Sequence, residues 1–178
     1  MLVITVPAQA LVTNLDSRLA TSEKALQHNL KRVIPNSKPF PYWHNVGRVH
    51  ASSAIYLGNN CVLTAAHVGP GTFELSDGSQ YEKIPGSAAV YKNPDQTFTE
   101  LCIFQVKSRR RDSLRKLPSI RVRIAPPTTG DLILMIGRGA SEKPGVNEWI
   151  RDGKKRWGFN IVSHTARTPF ANFFGETH

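Results

Sequence analysis

The residue with the clearest chemical potential in this sequence is His67, near the end of the run Asn60–Val68. The run is rich in apolar and β-branched residues, and two alanines, Ala65 and Ala66, come directly before the histidine. This pattern predicts a strand that ends at the two alanines and holds the imidazole rigidly. An imidazole can act as a general base near neutral pH. A packed histidine at a strand end with no chemical role is the alternative interpretation.

The string Leu63–Val68 resembles the histidine motif of the trypsin/chymotrypsin-like serine peptidases, and this resemblance implies a carboxylate partner for the imidazole directly before a later apolar run, where Glu100 stands. Glu100 comes directly before the apolar run Leu101–Val106, which predicts another strand of the same sheet. Intervening strands could bring the start of that strand next to the imidazole. Asp95, in the predicted turn Asn93–Gln96, is a second candidate for the same role. An exposed charge at a strand end is the non-catalytic interpretation of Glu100.

The resemblance to these peptidases implies that His67 takes the proton of a serine hydroxyl and that Glu100 orients the imidazole. It also implies a protein or peptide substrate and no cofactor. The family carries an aspartate before the corresponding apolar run, so Glu100 is a substitution that moves the carboxylate one methylene further from the backbone.

No nucleophile can be assigned from sequence motifs. In the resembled family the serine lies in a Gly-Asp-Ser-Gly-Gly loop of the second barrel, and this sequence has no Gly-x-Ser-Gly. Ser79 and Ser87 follow glycines but lie between the histidine and the carboxylate, and Ser163 has no neighbouring glycine. We expect a polypeptide that continues beyond His178, a surface borrowed from a partner or second copy, or a truncated reading frame.

The resemblance extends into the C-terminal part of the chain. Thr129–Gly139 ends in Gly-Arg-Gly after an apolar run, like the opening strand of the family's second barrel, and Lys154–Val162 is similar to the next strand. The expected fold is all-β, a chymotrypsin-like double β-barrel with a complete first barrel over 42–126 and an incomplete second barrel over 127–178. Residues 1–41 would precede both barrels and contain a short helix. Open sheet edges in the second barrel predict self-association.

The spacing of short β-type runs supports a β-rich fold independently of the resemblance. Hydrophobic residues make up 40% of the 178 residues, which suits one folded domain or two small ones. Turn residues separate six runs, and no helical pattern lies between them, so we expect an antiparallel sheet closed into a small barrel. The runs are Val46–Leu57, Cys61–Ala66, Thr72–Leu75, Gln80–Ile84, Ala88–Lys92 and Leu101–Val106. Later strands are predicted at Ile120–Ile124, Asp131–Ile136 and Trp157–His164.

The N-terminal segment has a different pattern. Apolar residues recur at helical spacing over Leu15–Val33, which predicts an amphipathic helix with Asn14 or Thr13 as N-cap and Pro35 just past its end. Met1–Ala10 resembles the end of a secretory signal peptide, which predicts a secreted or periplasmic protein. No apolar run in the sequence is long enough to span a membrane as a helix.

The chain is strongly basic, with a formal net charge of +10. Much of the charge lies in two groups, Arg109–Arg111 with Arg115 and Lys116, and Lys154–Arg156. Such charge is compatible with polyanionic partners. Aromatic residues do not alternate with the basic ones as they would in a base-stacking surface. We therefore expect both groups in solvated loops, with a nucleic-acid contact surface as the alternative.

The two cysteines, Cys61 and Cys102, both lie in apolar runs. Each is expected to be a small buried hydrophobic residue, although a disulfide between them remains open. No spacing of cysteine and histidine indicates a metal site.

Three functions follow from these observations. The first is a trypsin-like serine endopeptidase domain that is inactive without a serine-bearing segment. The second is a non-enzymatic, peptidase-like binding domain. The third is a basic β-barrel that binds nucleic acid.

Overall fold

A computed structural model of the chain describes residues 3–4, 20–108, 112–122, 127–139, 141–142, 149–150 and 152–163. The strands are β1 (Val3–Ile4), β2 (Val46–Val49), β3 (Ser52–Gly58), β4 (Cys61–Ala65), β5 (Phe73–Glu74), β6 (Gln80–Tyr81), β7 (Ala89–Lys92), β8 (Phe98–Gln105), β9 (Leu132–Arg138), β10 (Ser141–Glu142), β11 (Trp149–Ile150) and β12 (Lys155–Ile161). Helix α1 spans Glu23–Val33, and two short 3-10 helices span Trp43–Asn45 and Ser113–Lys116. In the described part of the chain, no helix is long and apolar enough to cross a membrane.

Seven strands form one antiparallel sheet in the order β6–β5–β2–β3–β4–β8–β7. Directly after β6, Lys83 forms an isolated bridge with Val106, and the Ile84 N–H donates to the Gln105 carbonyl at 2.7 Å. The Lys107 N–H also donates to the Glu82 carbonyl at 2.8 Å. The β6 end of the sheet therefore curls back onto the end of β8. The expectation of an all-β protein is confirmed, whereas no closed barrel is found among the described residues.

One face of the seven-stranded sheet covers a hydrophobic core. Along β4, Val62 and Thr64 are buried, and along β8 Cys102 and Phe104 are buried, as the period of two in a strand requires. The buried core residues are Val49, Ala54, Tyr56, Val62, Phe73, Leu75, Tyr81, Phe104, Val106 and Leu114. Leu114 comes from the second 3-10 helix, so the segment after β8 also contributes to this core.

The second sheet has the order β1–β9–β12, with β12 antiparallel and β1 parallel to β9. Seven residue pairs join β9 and β12, from Lys155 opposite Arg138 to Ile161 opposite Leu132. Strands β10 and β11 form a separate antiparallel pair. The predicted strands Asp131–Ile136 and Trp157–His164 are confirmed with different bounds, since β9 continues to Arg138 and β12 runs from Lys155 to Ile161.

A second core joins helix α1, the second sheet and the outer face of the first sheet. Its buried residues are Leu26, Leu30, Phe40, Trp43, Val46, Ile55, Leu134, Ile136 and Trp157. The Trp157 indole also donates to the Ser22 carbonyl at 3.0 Å. The Gln27 side chain exchanges two hydrogen bonds of 2.8 Å with the backbone of Phe40 and so holds the proline-rich segment after α1 against the helix.

The predicted helix Leu15–Val33 is interrupted at Thr21 and Ser22, after the helical residue Ala20, and α1 begins after this interruption. Its N-cap is Ser22, whose hydroxyl accepts from the Ala25 N–H at 3.2 Å. The predicted caps Asn14 and Thr13 lie outside the described residues, as does most of the signal-like segment Met1–Ala10. The helix ends at Val33, as expected from the following proline.

The predicted strand Val46–Leu57 is two strands. Strand β2 ends at Val49, and His50 then adopts a left-handed conformation with φ of 53°. No glycine or proline marks this turn, so the sequence pattern missed it. Likewise, residues 120–122 of the predicted strand Ile120–Ile124 are not in a strand, and 123–124 lie outside the described residues.

The two cysteines are free thiols. On the paired strands β4 and β8, Cys61 is opposite Gln105 and Cys102 is opposite Thr64. The two are thus three residue positions out of register, about 10 Å along the strands, which is too far for a disulfide. Burial raises the pKa of the Cys102 thiol, in keeping with an inert core residue.

Lys155 is buried, with 7% of its surface exposed, so the expectation of a solvated loop at Lys154–Arg156 is wrong for this residue. Its ammonium donates to the carbonyls of Trp43 at 2.8 Å and Val46 at 3.2 Å, and it lies 4.4 Å from the centre of the Trp43 ring. Burial, with the charge of Arg138 as a smaller cause, lowers the pKa of Lys155 to about 8.

The expectation is also wrong for Arg156, which is 2% exposed. Its guanidinium binds the Asp152 carboxylate through Nη1 at 2.9 Å and Nη2 at 2.6 Å. This ion pair lowers the pKa of the Asp152 carboxyl group. The charged groups of Lys155 and Arg156 therefore both have partners inside the fold, and only Lys154 of this basic group is exposed.

Docking of α1 can be tested with two truncations on the same helix. Leu30 is 2% exposed in the second core, whereas Val33 is 48% exposed. We expect Leu30→Ala to lower the free energy of unfolding by roughly 2–5 kcal/mol, because it removes buried methyl groups and leaves a cavity. Val33→Ala should change it by less than about 1 kcal/mol. Urea denaturation measures both, and equal effects would contradict the packing of α1.

Lys155 should make stability depend on alkaline pH. Its pKa of about 8 in the folded chain lies below the ordinary value of 10.5, so between these pH values the unfolded chain binds more protons. The free energy of unfolding should therefore rise with pH across this window, by at most about 3 kcal/mol.

Urea denaturation at pH 7.5, 9 and 10.5 measures this dependence. The rise attributable to Lys155 should be absent in Lys155→Met and present in Lys154→Met, whose target side chain is exposed. An identical pH dependence of the free energy of unfolding in wild type and Lys155→Met would contradict the lowered pKa of Lys155.

Candidate active site

His67 lies in a tight turn at the end of β4. The Val68 and Gly69 N–H groups donate to the Ala65 carbonyl at 3.1 and 3.2 Å, so the chain turns directly after the last strand residue. Gly69 adopts a φ of 71°, which glycine adopts without steric strain. The turn places the His67 side chain at the surface, with 43% of it exposed.

Strand pairing brings Glu100 to the same place. In the antiparallel ladder of β4 and β8, Ala65 is opposite Leu101. One step further along, the Ala66 N–H donates to the Glu100 carbonyl at 3.1 Å. Glu100 thus lies beside Ala66, and the side chains of Glu100 and His67 meet where β4 ends and β8 pairs with its last residue.

The imidazole and the carboxylate form a direct contact. His67 Nδ1 lies 2.9 Å from Glu100 Oε2, and the His67 backbone N–H lies 3.5 Å from the same oxygen. An ionised carboxylate can only accept hydrogen bonds, so Nδ1 must carry the proton in this contact. Within the described residues, the imidazole has no other hydrogen-bond partner, which leaves Nε2 available to a reactant.

This arrangement can perform general-base chemistry. A neutral imidazole with its proton on Nδ1 presents an unprotonated Nε2, and a carboxylate at Nδ1 stabilises the positive charge that forms when Nε2 takes a proton. The extra methylene of Glu100 does not prevent the contact. The side chain is 25% exposed, so the pair lies at the surface and not in the core.

Asp95 does not take part in this contact. Its carboxylate accepts from the Thr97 hydroxyl at 2.6 Å and the Thr97 N–H at 3.0 Å, inside the turn between β7 and β8. These hydrogen bonds lower the pKa of the Asp95 carboxyl group. Of the two carboxylates that the sequence offered, the structure brings Glu100 to His67.

None of the three candidate hydroxyl groups, on Ser79, Ser87 and Ser163, is hydrogen-bonded to His67. Ser87 Oγ donates to the Ile84 carbonyl at 2.7 Å and accepts from the Gln105 N–H at 3.0 Å. The Ser79 N–H donates to Asp77 Oδ1 at 2.9 Å in the turn after β5. Ser163, after β12, also makes no hydrogen bond to His67, and no serine, threonine or cysteine in the described part of the chain does.

The structure also groups charged residues that the sequence analysis missed. Arg48 on β2 binds Glu74 on β5 at 2.6 Å, and Gln80 on β6 donates to the same carboxylate at 3.1 Å. The Arg48 contact lowers the pKa of the Glu74 carboxyl group. These residues are far apart in the chain, and only the register of three strands aligns them, so their spacing carried no signal.

The proposed basic contact surface is only partly exposed. Arg115 and Lys116 are exposed on the second 3-10 helix, and Arg109–Arg111 lie outside the described residues. In the second basic group, Lys154–Arg156, Lys155 and Arg156 are buried. Among the described residues of the two groups, Arg115, Lys116 and Lys154 are exposed.

Comparisons with known proteins do not assign the chain to a family. No protein-family model matches it, and no curated protein is significantly similar to it. The interpretation of the site therefore depends on its residues and their geometry.

The protonation of His67 can be tested by nitrogen-15 NMR of the imidazole. In the neutral ring we expect the proton on Nδ1, because Glu100 accepts from it. Glu100→Ala should shift the ring toward the mixture of tautomers found in solution, whereas Glu82→Ala, at an exposed carboxylate on the same sheet, should not. A proton on Nε2 in the wild type would contradict the observed contact.

Proposed function

We propose that this chain is the histidine-bearing part of a trypsin-like serine endopeptidase and that the serine nucleophile lies in a segment outside these 178 residues. His67 is the general base and then the general acid, and Glu100 is its positioning carboxylate. Without the serine, the 178-residue chain does not hydrolyse peptides by this route.

The observation that carries the proposal is the 2.9 Å contact between His67 Nδ1 and Glu100 Oε2. A serine peptidase needs an imidazole whose Nδ1 is bound to a carboxylate and whose Nε2 can reach a hydroxyl. The resemblance to these peptidases indicates both residues, His67 from its motif and Glu100 from its position before an apolar run. That their side chains meet supports a common chemical role.

The arrangement of the sheets supports the finer fold proposal. The bridge between Lys83 and Val106 curls the seven-stranded sheet toward a first barrel, with the first core inside it. Strands β9 and β12 would begin a second barrel. We propose a chymotrypsin-like double barrel in which further strands outside the described residues complete the second unit.

A non-enzymatic, peptidase-like binding domain is the alternative. It is favoured by the lack of any described hydroxyl or thiol group bonded to His67 and by glutamate where the resembled family has aspartate. In that case the contact between His67 and Glu100 would be retained for structure only.

The two functions are distinguished by the DNA that follows the codon of His178 and by active-site labelling. If an in-frame Gly-x-Ser-Gly follows, the longer product should react with a fluorophosphonate probe. His67→Ala in that product should slow labelling by at least about a thousandfold, because the serine loses its base. Lys154→Met is the matched control and should label like the wild type.

Two results would reject the proposed peptidase function. One is a stop codon directly after His178 together with no labelling of the 178-residue chain. The other is a longer product that carries the motif, folds, and labels equally well with and without His67. Labelling of the 178-residue chain itself would instead place the nucleophile within it and reject the proposed external serine.

A further inference from the structure

A cluster of positive charge lies where the two sheets meet, apart from His67 and Glu100. Arg138, at the end of β9, approaches the first sheet, where Ser53 holds it. The Arg138 N–H donates to Ser53 Oγ at 2.6 Å, and that hydroxyl lies 3.3 Å from the Arg138 carbonyl. The backbone of Arg138 is thus fixed against β3, so its guanidinium has a defined position.

The guanidinium of Arg138 has no carboxylate partner among the described residues. Its Nη1 donates to the Gly153 carbonyl at 2.6 Å, and its Nη2 lies 3.4 Å from Ser76 Oγ. Its Nε is buried without an acceptor in the described part of the chain. Burial and the charge of Arg48 lower the pKa of Arg138, and the charge of Glu74 opposes them.

Positive charge exceeds negative charge in this cluster. Lys155 is opposite Arg138 in the ladder of β9 and β12, and its ammonium binds only carbonyl groups and an aromatic ring. Arg48 is paired with Glu74, which also acts on Arg138. The charge of Glu23 acts on Lys155. The three cations thus outnumber these two carboxylates, and partly buried charge without a counter-charge is unfavourable.

An open groove of about 360 Å³ adjoins the cluster. The residues that line it are Arg48, His50, Thr72, Glu74 and Gln80. Arg48 is 43% exposed, so part of its guanidinium faces solvent although the side chain is paired with Glu74. The imidazole, hydroxyl and amide groups can donate hydrogen bonds to oxygen atoms, so the groove combines these neutral donors with the exposed part of the Arg48 guanidinium. Arg138 lies outside the lining but near enough for its charge to interact with those of Arg48 and Glu74.

We infer that this groove is a binding site for a small oxyanion, a phosphate or carboxylate group, which Arg48 binds directly and Arg138 attracts from the second sheet. A planar guanidinium matches two oxygens of such a group in a bidentate contact. Thr72 and His50 supply further donors at the groove's wall. The bound anion provides the counter-charge that the junction lacks.

Titrations with inorganic phosphate and with acetate, at constant ionic strength maintained with sodium chloride, test the site. Binding is followed by amide NMR shifts of the wild-type chain. We expect saturable shifts at the groove. Arg48→Met and Arg138→Met should each weaken binding by at least about tenfold, because each removes a charge-assisted attraction. Arg115→Met, at an exposed arginine on the second 3-10 helix, is the matched control and should bind like the wild type.

Glu74→Gln provides a test in the opposite direction. It removes the carboxylate that competes for Arg48 and should tighten binding by about tenfold. This variant and Arg48→Met decide the question even if Arg138→Met does not fold. Unsaturable shifts, or equal affinities in wild type, Arg48→Met and Glu74→Gln, would overturn the inference. A response to phosphate but not to acetate would assign the site to phosphate groups, and the reverse would assign it to carboxylates.

Discussion

The pairing of β4 with β8 is the constraint on which both the first core and the candidate site depend. Its register places Val62 opposite Phe104 on the core side of the sheet. The same register sets Ala65 opposite Leu101, which brings Glu100 to His67. A shift by one residue would turn every side chain of one strand to the other face. Burial of the core therefore holds the imidazole and the carboxylate together.

The junction of the two sheets obeys a different constraint. Apolar residues from α1 and both sheets pack there, yet Lys155 is buried among them without a carboxylate. Carbonyl oxygens and the face of Trp43 partly replace the water that the ammonium loses. Because this replacement is incomplete, the ammonium is easier to deprotonate than in water, and the nearby charge of Arg138 adds to this effect. Strand register thus positions the His67 and Glu100 side chains, whereas carbonyl groups and the Trp43 ring position the ammonium of Lys155.

Local patterns predicted much of the fold. Alternation and turn residues located most strands of the first sheet, and Pro35 located the end of α1. Errors occurred where a local pattern lacked the deciding information. His50 makes a turn that no glycine or proline announces. The basic residues Lys155 and Arg156 were expected in solvent, because charge is usually exposed. Trp43, a partner of Lys155, is brought near only by the folded chain, whereas Asp152 is only four residues from Arg156 and could have indicated the ion pair.

The sequence by itself determined the β-rich class through strand periodicity. Its resemblance to the trypsin-like peptidases indicated His67 and Glu100 as the candidate site, because a motif and a position before an apolar run are both local properties. The tertiary structure alone decided that Glu100 and not Asp95 reaches His67, that the cysteines stay unpaired, and that Arg48, Glu74 and Arg138 form one charged cluster. These outcomes depend on strand register and on contacts between sheets. Strand register is set by the simultaneous burial of many side chains on several strands, so it cannot be read from any single stretch of the sequence.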